Sequence, residues 1–162
     1  MNINNLVKSN DDNFITIITD ICKVLNYDIN SVNIDKVINH ITSSFGILSV
    51  TDKNNIYKLI KLLPPEINTY VQEIIADGKL DLNDLEPLYK LISYLVTHYN
   101  GFKEINNMDS NVVILLIKII IIIIVSNFGN IEEYLQIINL AFNCLSMVVG
   151  YVKVITKGLC CN

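Results

Sequence analysis

The acidic residues around Gly78 are the first place where this sequence could bind a metal ion. Residues 77–84 read DGKLDLND between two helical patterns, an arrangement similar to part of a calcium-binding loop. Such a loop needs oxygen ligands at its first, third and fifth positions and a glycine at its sixth. With Gly78 as the sixth residue, the third is Ile75, which has no side-chain oxygen. We therefore interpret Gly78 as the end of one helix, and Asp81 and Asp84 as residues that favour the start of the next.

The histidines offer no obvious catalytic arrangement. His40 and His98 are the only two, and neither has a cysteine or a second histidine three or four residues away. That spacing would place two ligands on one helix face. The sequence also contains no GxSxG turn and no glycine-rich phosphate loop. It therefore predicts a protein that is not an enzyme and that uses no cofactor and no metal ion.

The four cysteines do not have the spacing of a zinc site or of a CxxC redox motif. They are Cys22, Cys144, Cys160 and Cys161. This pattern favours reduced thiols in an intracellular setting. The alternative for the adjacent Cys160 and Cys161 is acylation or an intermolecular disulfide.

Composition argues against nucleic acid as a partner. All 12 basic residues are lysines and the net charge is -4, whereas nucleic-acid binding depends largely on neutralising phosphates. Apolar residues make up 51% of the chain and charged residues 17%, so much of its surface must be covered by protein or lipid. The first 13 residues lack the basic and apolar regions of a secretory signal. We expect protein partners, which include further copies of the chain, and no secretion.

Helices must position whatever site exists, because apolar residues recur every three or four positions along most of the chain. The predicted breaks are residues 26–30, Gly46, Pro64 with Pro65, Asp77 with Gly78, and residues 100–109. The predicted N-caps are Asp11 or Asp12 after a polar lead at residues 1–12, then Thr51 or Asp52, and finally Asp81 or Asn83. A second helix is predicted to start near Asn33. The pattern predicts an all-α bundle of about six or seven helices with a very apolar C-terminal helix pair.

Charge divides the chain into two predicted regions. Residues 1–108 form an acidic helical region with 9 lysines against 13 acids, whereas residues 109–162 carry 3 of each. The second region is expected to be an apolar helical hairpin. It is either buried in the bundle or associated with a membrane.

The apolar run at residues 112–125 is the most telling feature of the second region. Its 14 residues would span about 21 Å as a helix, less than a bilayer core requires, and Lys118 lies in its middle. We weigh three interpretations: a membrane hairpin, a buried bundle helix, which we favour, and a buried strand. The candidate residues of this membrane or buried helix are Val112, Leu116, Lys118, Ile122 and Val125.

Tyrosines on the middle helices suggest a surface for partner proteins. Tyr89, Tyr94 and Tyr99 are the candidate interface, because amphipathic rings are frequent at protein interfaces. The competing interpretation is that they pack between helices with their hydroxyls in water.

A segment at residues 62–96 resembles one found in small proteins of large DNA viruses. There, a helix, a DGK-[IL]-D turn and an acid-capped helix precede an apolar stretch. The matching residues here are Asp77, Gly78, Lys79, Leu80, Asp81 and Asp84. The resemblance implies a virion structural protein, a minor capsid component that bridges or glues capsid proteins near an inner membrane. It would be found in the virion or the host cytoplasm. The alternative is a soluble helical adaptor or host-factor-binding protein that uses a groove or a dimer face.

Overall fold

The computed structural model describes residues 3–102, 108, 110–128, 131–134, 136–137, 139–140 and 143. Within these residues every regular element is helical, which confirms the all-α prediction. The α-helices are α1 (Ile3–Val24), α2 (Ile34–Phe45), α3 (Val50–Lys61), α4 (Ile67–Ile75), α5 (Leu85–Asn100) and α6 (Ser110–Ser126), with short 3-10 turns at Ile29–Ser31, Leu82–Asp84 and Ile131–Tyr134. The second half of the predicted apolar pair, residues 134–155, falls mostly outside the described residues.

Helix α1 begins at Ile3, so the prediction that Asp11 or Asp12 caps it is wrong. Once a helix has nucleated, each further residue adds a backbone hydrogen bond, and a polar lead can therefore extend it. The helix ends as predicted, because Asn26 adopts a positive φ of 54°. The Tyr27 amide donates to Cys22 O at 2.9 Å, which closes a Schellman motif.

Short caps define α2 and α3. The Lys36 amide donates to the Asn33 side chain at 3.2 Å, and α2 ends at Gly46, whose φ is 70°. The helix therefore starts next to Asn33 and ends before Gly46, as predicted. The predicted caps Thr51 and Asp52 of α3 are wrong, because Ser49 accepts the hydrogen bond from the Asp52 amide at 3.1 Å. Serine caps as well as aspartate does, and the helix begins two residues earlier.

Proline and an acidic capping box separate α3, α4 and α5. Helix α3 ends at Lys61, three residues before Pro64, as predicted. After the turn at Gly78, Asp81 accepts from the Asn83 amide at 2.8 Å. The Asp84 carboxylate accepts from the Asp81 amide at 2.7 Å, completing a capping box ahead of α5.

Helix α6 is buried in the bundle over most of its length. Residues 119–125 are all 0% exposed, and α6 packs against α2, α3 and α5. The strand interpretation of this run is therefore wrong. Among the described residues, no helix combines the length and the apolar character needed to cross a membrane. The division at residue 108 stays a prediction, although α6 contacts three helices of the first region.

Candidate protein-binding groove

A groove of about 290 Å³ opens where the α2–α3 connector meets the N-terminal half of α6. One wall comes from the end of α2, the connector and the start of α3, and the other from α6. The lining residues are Phe45, Ile47, Leu48, Asp52, Asn111, Ile114, Leu115 and Lys118. Pockets for drug-sized ligands hold roughly 300–1,000 Å³. This groove lies just below that range, so it suits one or two inserted side chains better than a small molecule.

The connector explains the first wall. Gly46 ends α2 with a positive φ, and Ser49 starts α3 three residues later. Between them, Leu48 turns into the core while Ile47 points out and is 66% exposed. Val50, the first residue of α3, is 74% exposed. These two are the most exposed large apolar side chains among the described residues, and they are close together in the chain.

Helical spacing explains the second wall. Asn111, Ile114, Leu115 and Lys118 fall on one stripe of α6 because they recur every three or four residues. Ile114, Leu115 and Lys118 are half-buried, unlike the enclosed residues that follow. The Lys118 Nζ lies 5.4 Å from the centroid of the Phe45 ring. This cation–π contact joins the two walls across the groove.

The candidate residues predicted on α6 thus divide into two groups. Lys118 lines the groove. The other four, Val112, Leu116, Ile122 and Val125, are buried in the core. Sequence reasoning did not identify the groove, because its two walls come from distant parts of the chain.

The three candidate interface tyrosines do not share a surface. Tyr89 is 48% exposed, whereas Tyr99 is 0% exposed and donates its hydroxyl to Leu59 O at 2.9 Å. Tyr99 is therefore a core residue, and its assignment to an interface is corrected. Tyr94 is half-buried and stacks on Tyr70, with ring centroids 4.7 Å apart. Five-residue spacing rotates successive side chains by about 140° around a helix, which is why the three tyrosines point in different directions.

His98 has a structural partner. Its Nε2 lies 2.7 Å from Leu62 O, and since a carbonyl only accepts, Nε2 carries the hydrogen. Pro64 and Pro65 have no N–H to offer the last carbonyls of α3. His98 and Tyr99, adjacent on α5, donate to two other carbonyls at that helix end, Leu62 O and Leu59 O.

Aromatic rings lie in a row beside this contact, with Tyr94 stacked on His98 and Phe102 edge to face with His98. The Tyr94 and His98 ring centroids are 6.2 Å apart, and those of His98 and Phe102 are 4.9 Å apart. Burial, with the nearby Glu66 carboxylate, raises the pKa of the Tyr94 phenol. The contact between Tyr70 and Tyr94 packs α4 against α5, and the His98 ring packs against Tyr94 and Phe102.

The acids around Gly78 are engaged in capping and ion pairs. The Lys79 Nζ lies 3.2 Å from Asp81 and 3.9 Å from Asp77. The Asn83 amide and then Lys79 lower the pKa of Asp81, whereas burial raises the pKa of Asp84. In the part of the chain that the structure describes, no group of three or more His, Cys, Asp or Glu side chains is placed to hold a metal ion.

Cys22 is the one cysteine within the described residues. It is buried, and burial raises the pKa of its thiol to about 11. The thiol is therefore neutral at pH 7 and a poor nucleophile. The other three cysteines, Cys144, Cys160 and Cys161, lie outside the described residues. The acylation or intermolecular disulfide considered for Cys160 and Cys161 therefore stays a prediction.

No family model, no curated protein and no solved structure matches this chain. What can be inferred about function therefore rests on its own residues and their arrangement.

Proposed function

We propose that this protein is a non-catalytic helical component that works by binding other proteins, and that the groove between the α2–α3 connector and α6 is its binding surface. The observation that carries the proposal is that Ile47, which lines the groove, is an exposed apolar side chain, with a second one, Val50, three residues further along the chain. Clustered exposed apolar residues mark interaction sites more often than scattered ones do.

The groove chemistry suits a protein segment. Its floor is apolar, from Phe45, Leu48 and the α6 stripe, and it carries one acid, Asp52, and one base, Lys118. An apolar centre with a few charged groups at the edge is the usual composition of a protein interface. Neither His40 nor His98 lines the groove, and His98 is engaged with the end of α3.

The partner we propose is a virion shell protein, with this chain as a minor component that bridges or glues capsid proteins near an inner membrane. The support is the resemblance of residues 62–96 to small proteins of large DNA viruses, together with the acidic first region and the apolar second one. Quantitative mass spectrometry of purified particles from the natural source tests this proposal. The chain should be recovered in a fixed ratio to the capsid proteins. Its recovery only in host-cell complexes outside the particle would instead identify it as an adaptor or host-factor-binding protein.

A pair of matched variants tests the groove itself. Ile47→Lys introduces a positive charge in the lining of the groove. Leu82→Lys makes the same change of charge at another exposed apolar residue, which lies outside the groove lining. Burying one isoleucine side chain contributes about 1.5–3 kcal/mol, so Ile47→Lys should weaken capture of the capsid protein by about 10- to 100-fold. Leu82→Lys should bind as the wild type does. Equal binding by both variants would reject the groove as the contact surface.

A further inference from the structure

The last turn of α5 ends in a pair of residues that is chemically labile. Asn100, the final residue of α5, is the one asparagine of the sequence that a glycine follows. Glycine has no Cβ to shield its backbone nitrogen, so that nitrogen can approach the asparagine side chain closely. We propose that Asn100 is a site of spontaneous modification, at which the Gly101 nitrogen displaces ammonia from the side-chain amide and leaves an acid at the end of α5.

The reaction needs water and no other reagent. The Gly101 amide loses its proton, and its nitrogen forms a bond to Cγ of Asn100. The bond from Cγ to Nδ2 breaks and the side-chain nitrogen leaves as ammonia, which closes a five-membered imide ring. Water then opens the ring. Breaking the new bond to Cγ gives aspartate, whereas breaking the bond to the main-chain carbonyl carbon gives isoaspartate, in which the chain runs through Cγ.

The attachment of α5 to α3 stops at the residue before Asn100. The side chains of His98 and Tyr99 make hydrogen bonds of 2.7 and 2.9 Å to carbonyl oxygens at the end of α3. Tyr99 is buried, whereas Asn100 and Gly101 are both exposed. The two reacting residues therefore lie directly after the attached part of the helix, and water reaches both of them.

The hydrogen bond that the attacking nitrogen must give up is that of a helix end. The Gly101 amide donates to His98 O at 3.1 Å, and the next amide, that of Phe102, donates to Tyr99 O at 3.2 Å. Both bonds span three residues, as in a 3-10 turn, whose hydrogen-bond geometry is poorer than that of an α-helix. Helix ends fray, and such local openings cost far less than global unfolding. The nitrogen can therefore be released without unfolding the bundle.

Two other exposed asparagines lack this combination. Asn54 lies inside α3 and is followed by Asn55 instead of a glycine. Asn33 is followed by the β-branched Ile34, and its side chain accepts a hydrogen bond from the Lys36 amide at 3.2 Å. We therefore expect the modification to be selective for Asn100, and Asn54 serves as a control within the same molecule.

The products change the end of α5 in two ways. The new carboxylate adds a negative charge at a helix C-terminus, where the helix dipole is itself negative. In isoaspartate the backbone also gains one carbon atom before Gly101. This insertion moves Phe102 relative to His98, and the centroids of these two rings now lie 4.9 Å apart. Both changes act against the present conformation of the turn, so the modification loosens the end of α5 slowly and irreversibly.

Peptide mapping of the full chain by mass spectrometry, during incubation at mildly alkaline pH, tests the inference. The peptide that contains Asn100 should gain one dalton, or three daltons in water enriched in heavy oxygen, whereas a peptide that contains Asn54 should keep its mass. Asn100→Gln should lose the gain, because glutamine would need a six-membered ring. Gly101→Ala should slow it, because the added Cβ shields the nitrogen and would lie 3.3 Å from His98 O.

A comparison of folded and urea-unfolded chains separates the effect of the fold from that of the sequence. The rate at Asn100 in the folded chain should lie within about a hundredfold of the unfolded rate, because the opening is local. Stronger protection would overturn the inference, and so would a gain at Asn54 as fast as that at Asn100. Asn100→Asp reproduces the charge alone and should lower the folding equilibrium constant by about two- to fivefold. A variant as stable as the wild type would overturn the loosening of α5.

Discussion

Truncating one isoleucine of α6 tests whether that helix is covered by protein, the premise of the proposed groove. Ile122 is 0% exposed near the middle of the residues that are enclosed. Replacing it with alanine removes three carbon atoms, which costs about 2.4 kcal/mol at about 0.8 kcal/mol per buried methylene. Incomplete collapse of the space left behind adds about 1 kcal/mol. We therefore expect Ile122→Ala to lower the free energy of unfolding by about 3–4 kcal/mol.

Urea unfolding of the full chain, followed by far-ultraviolet circular dichroism, measures this loss. Leu82→Ala is the matched control, because Leu82 is 62% exposed and its truncation should change stability by less than about 0.5 kcal/mol. Ile122→Val should lie between the two, at about 0.5–1.5 kcal/mol. An Ile122→Ala loss no larger than that of the control would refute the enclosed helix, since a side chain covered by lipid or by solvent leaves no cavity in a protein core.

Three further outcomes follow from contacts elsewhere in the bundle. Ser49→Ala should cost about 1 kcal/mol in urea unfolding because it removes the cap of α3, whereas Thr51→Ala, at the residue predicted from sequence to cap, should cost less. Tyr99→Phe should cost about 0.5–1.5 kcal/mol through the hydrogen bond lost to α3, and an unchanged unfolding midpoint would show that this hydrogen bond does not stabilise the fold. Burial raises the pKa of Cys22 to about 11 and, with a contribution from Cys22, that of Tyr27 to about 12. Their stabilisation is fully present below the unfolded pKa values of 9.0 and 10.0 and is lost as pH rises toward the folded ones, so urea midpoints measured from pH 8 to pH 11 should fall at the alkaline end.

Several helix ends were predicted correctly from sequence because each depends on a few neighbouring residues, although the cap of α3 is Ser49 and not Thr51 or Asp52. Asn33, Gly46 and Asp81 act through one hydrogen bond or one backbone angle, and Pro64 acts through its missing donor. The start of α1 was not readable. Its first ten residues are mostly polar and include only three apolar ones, Ile3, Leu6 and Val7, so the cap rule pointed to Asp11 and Asp12 within the helix.

The groove could not be read from sequence because it joins residues that are distant in the chain. Phe45 and Lys118 come together only once α2 and α6 are packed, and no local pattern encodes that contact. The prediction that three tyrosines form one interface failed for a different reason. Their five-residue spacing already places them in three directions around α5, so helical geometry alone indicates that they do not share one surface.

Lys118 bears both on the membrane interpretation of the apolar run and on the chemistry of the groove. In the sequence it is the charge that interrupts an apolar run and counts against a bilayer. In the fold it sits where α6 changes from a half-buried stripe facing the groove to the enclosed residues 119–125. A lysine at that boundary can lay its aliphatic stem along apolar neighbours and keep its ammonium at the edge, over the Phe45 ring. An apolar residue there would extend the exposed apolar surface of the groove and favour unspecific association. The residue that weakens the membrane interpretation is therefore also the one basic residue in the lining of the groove.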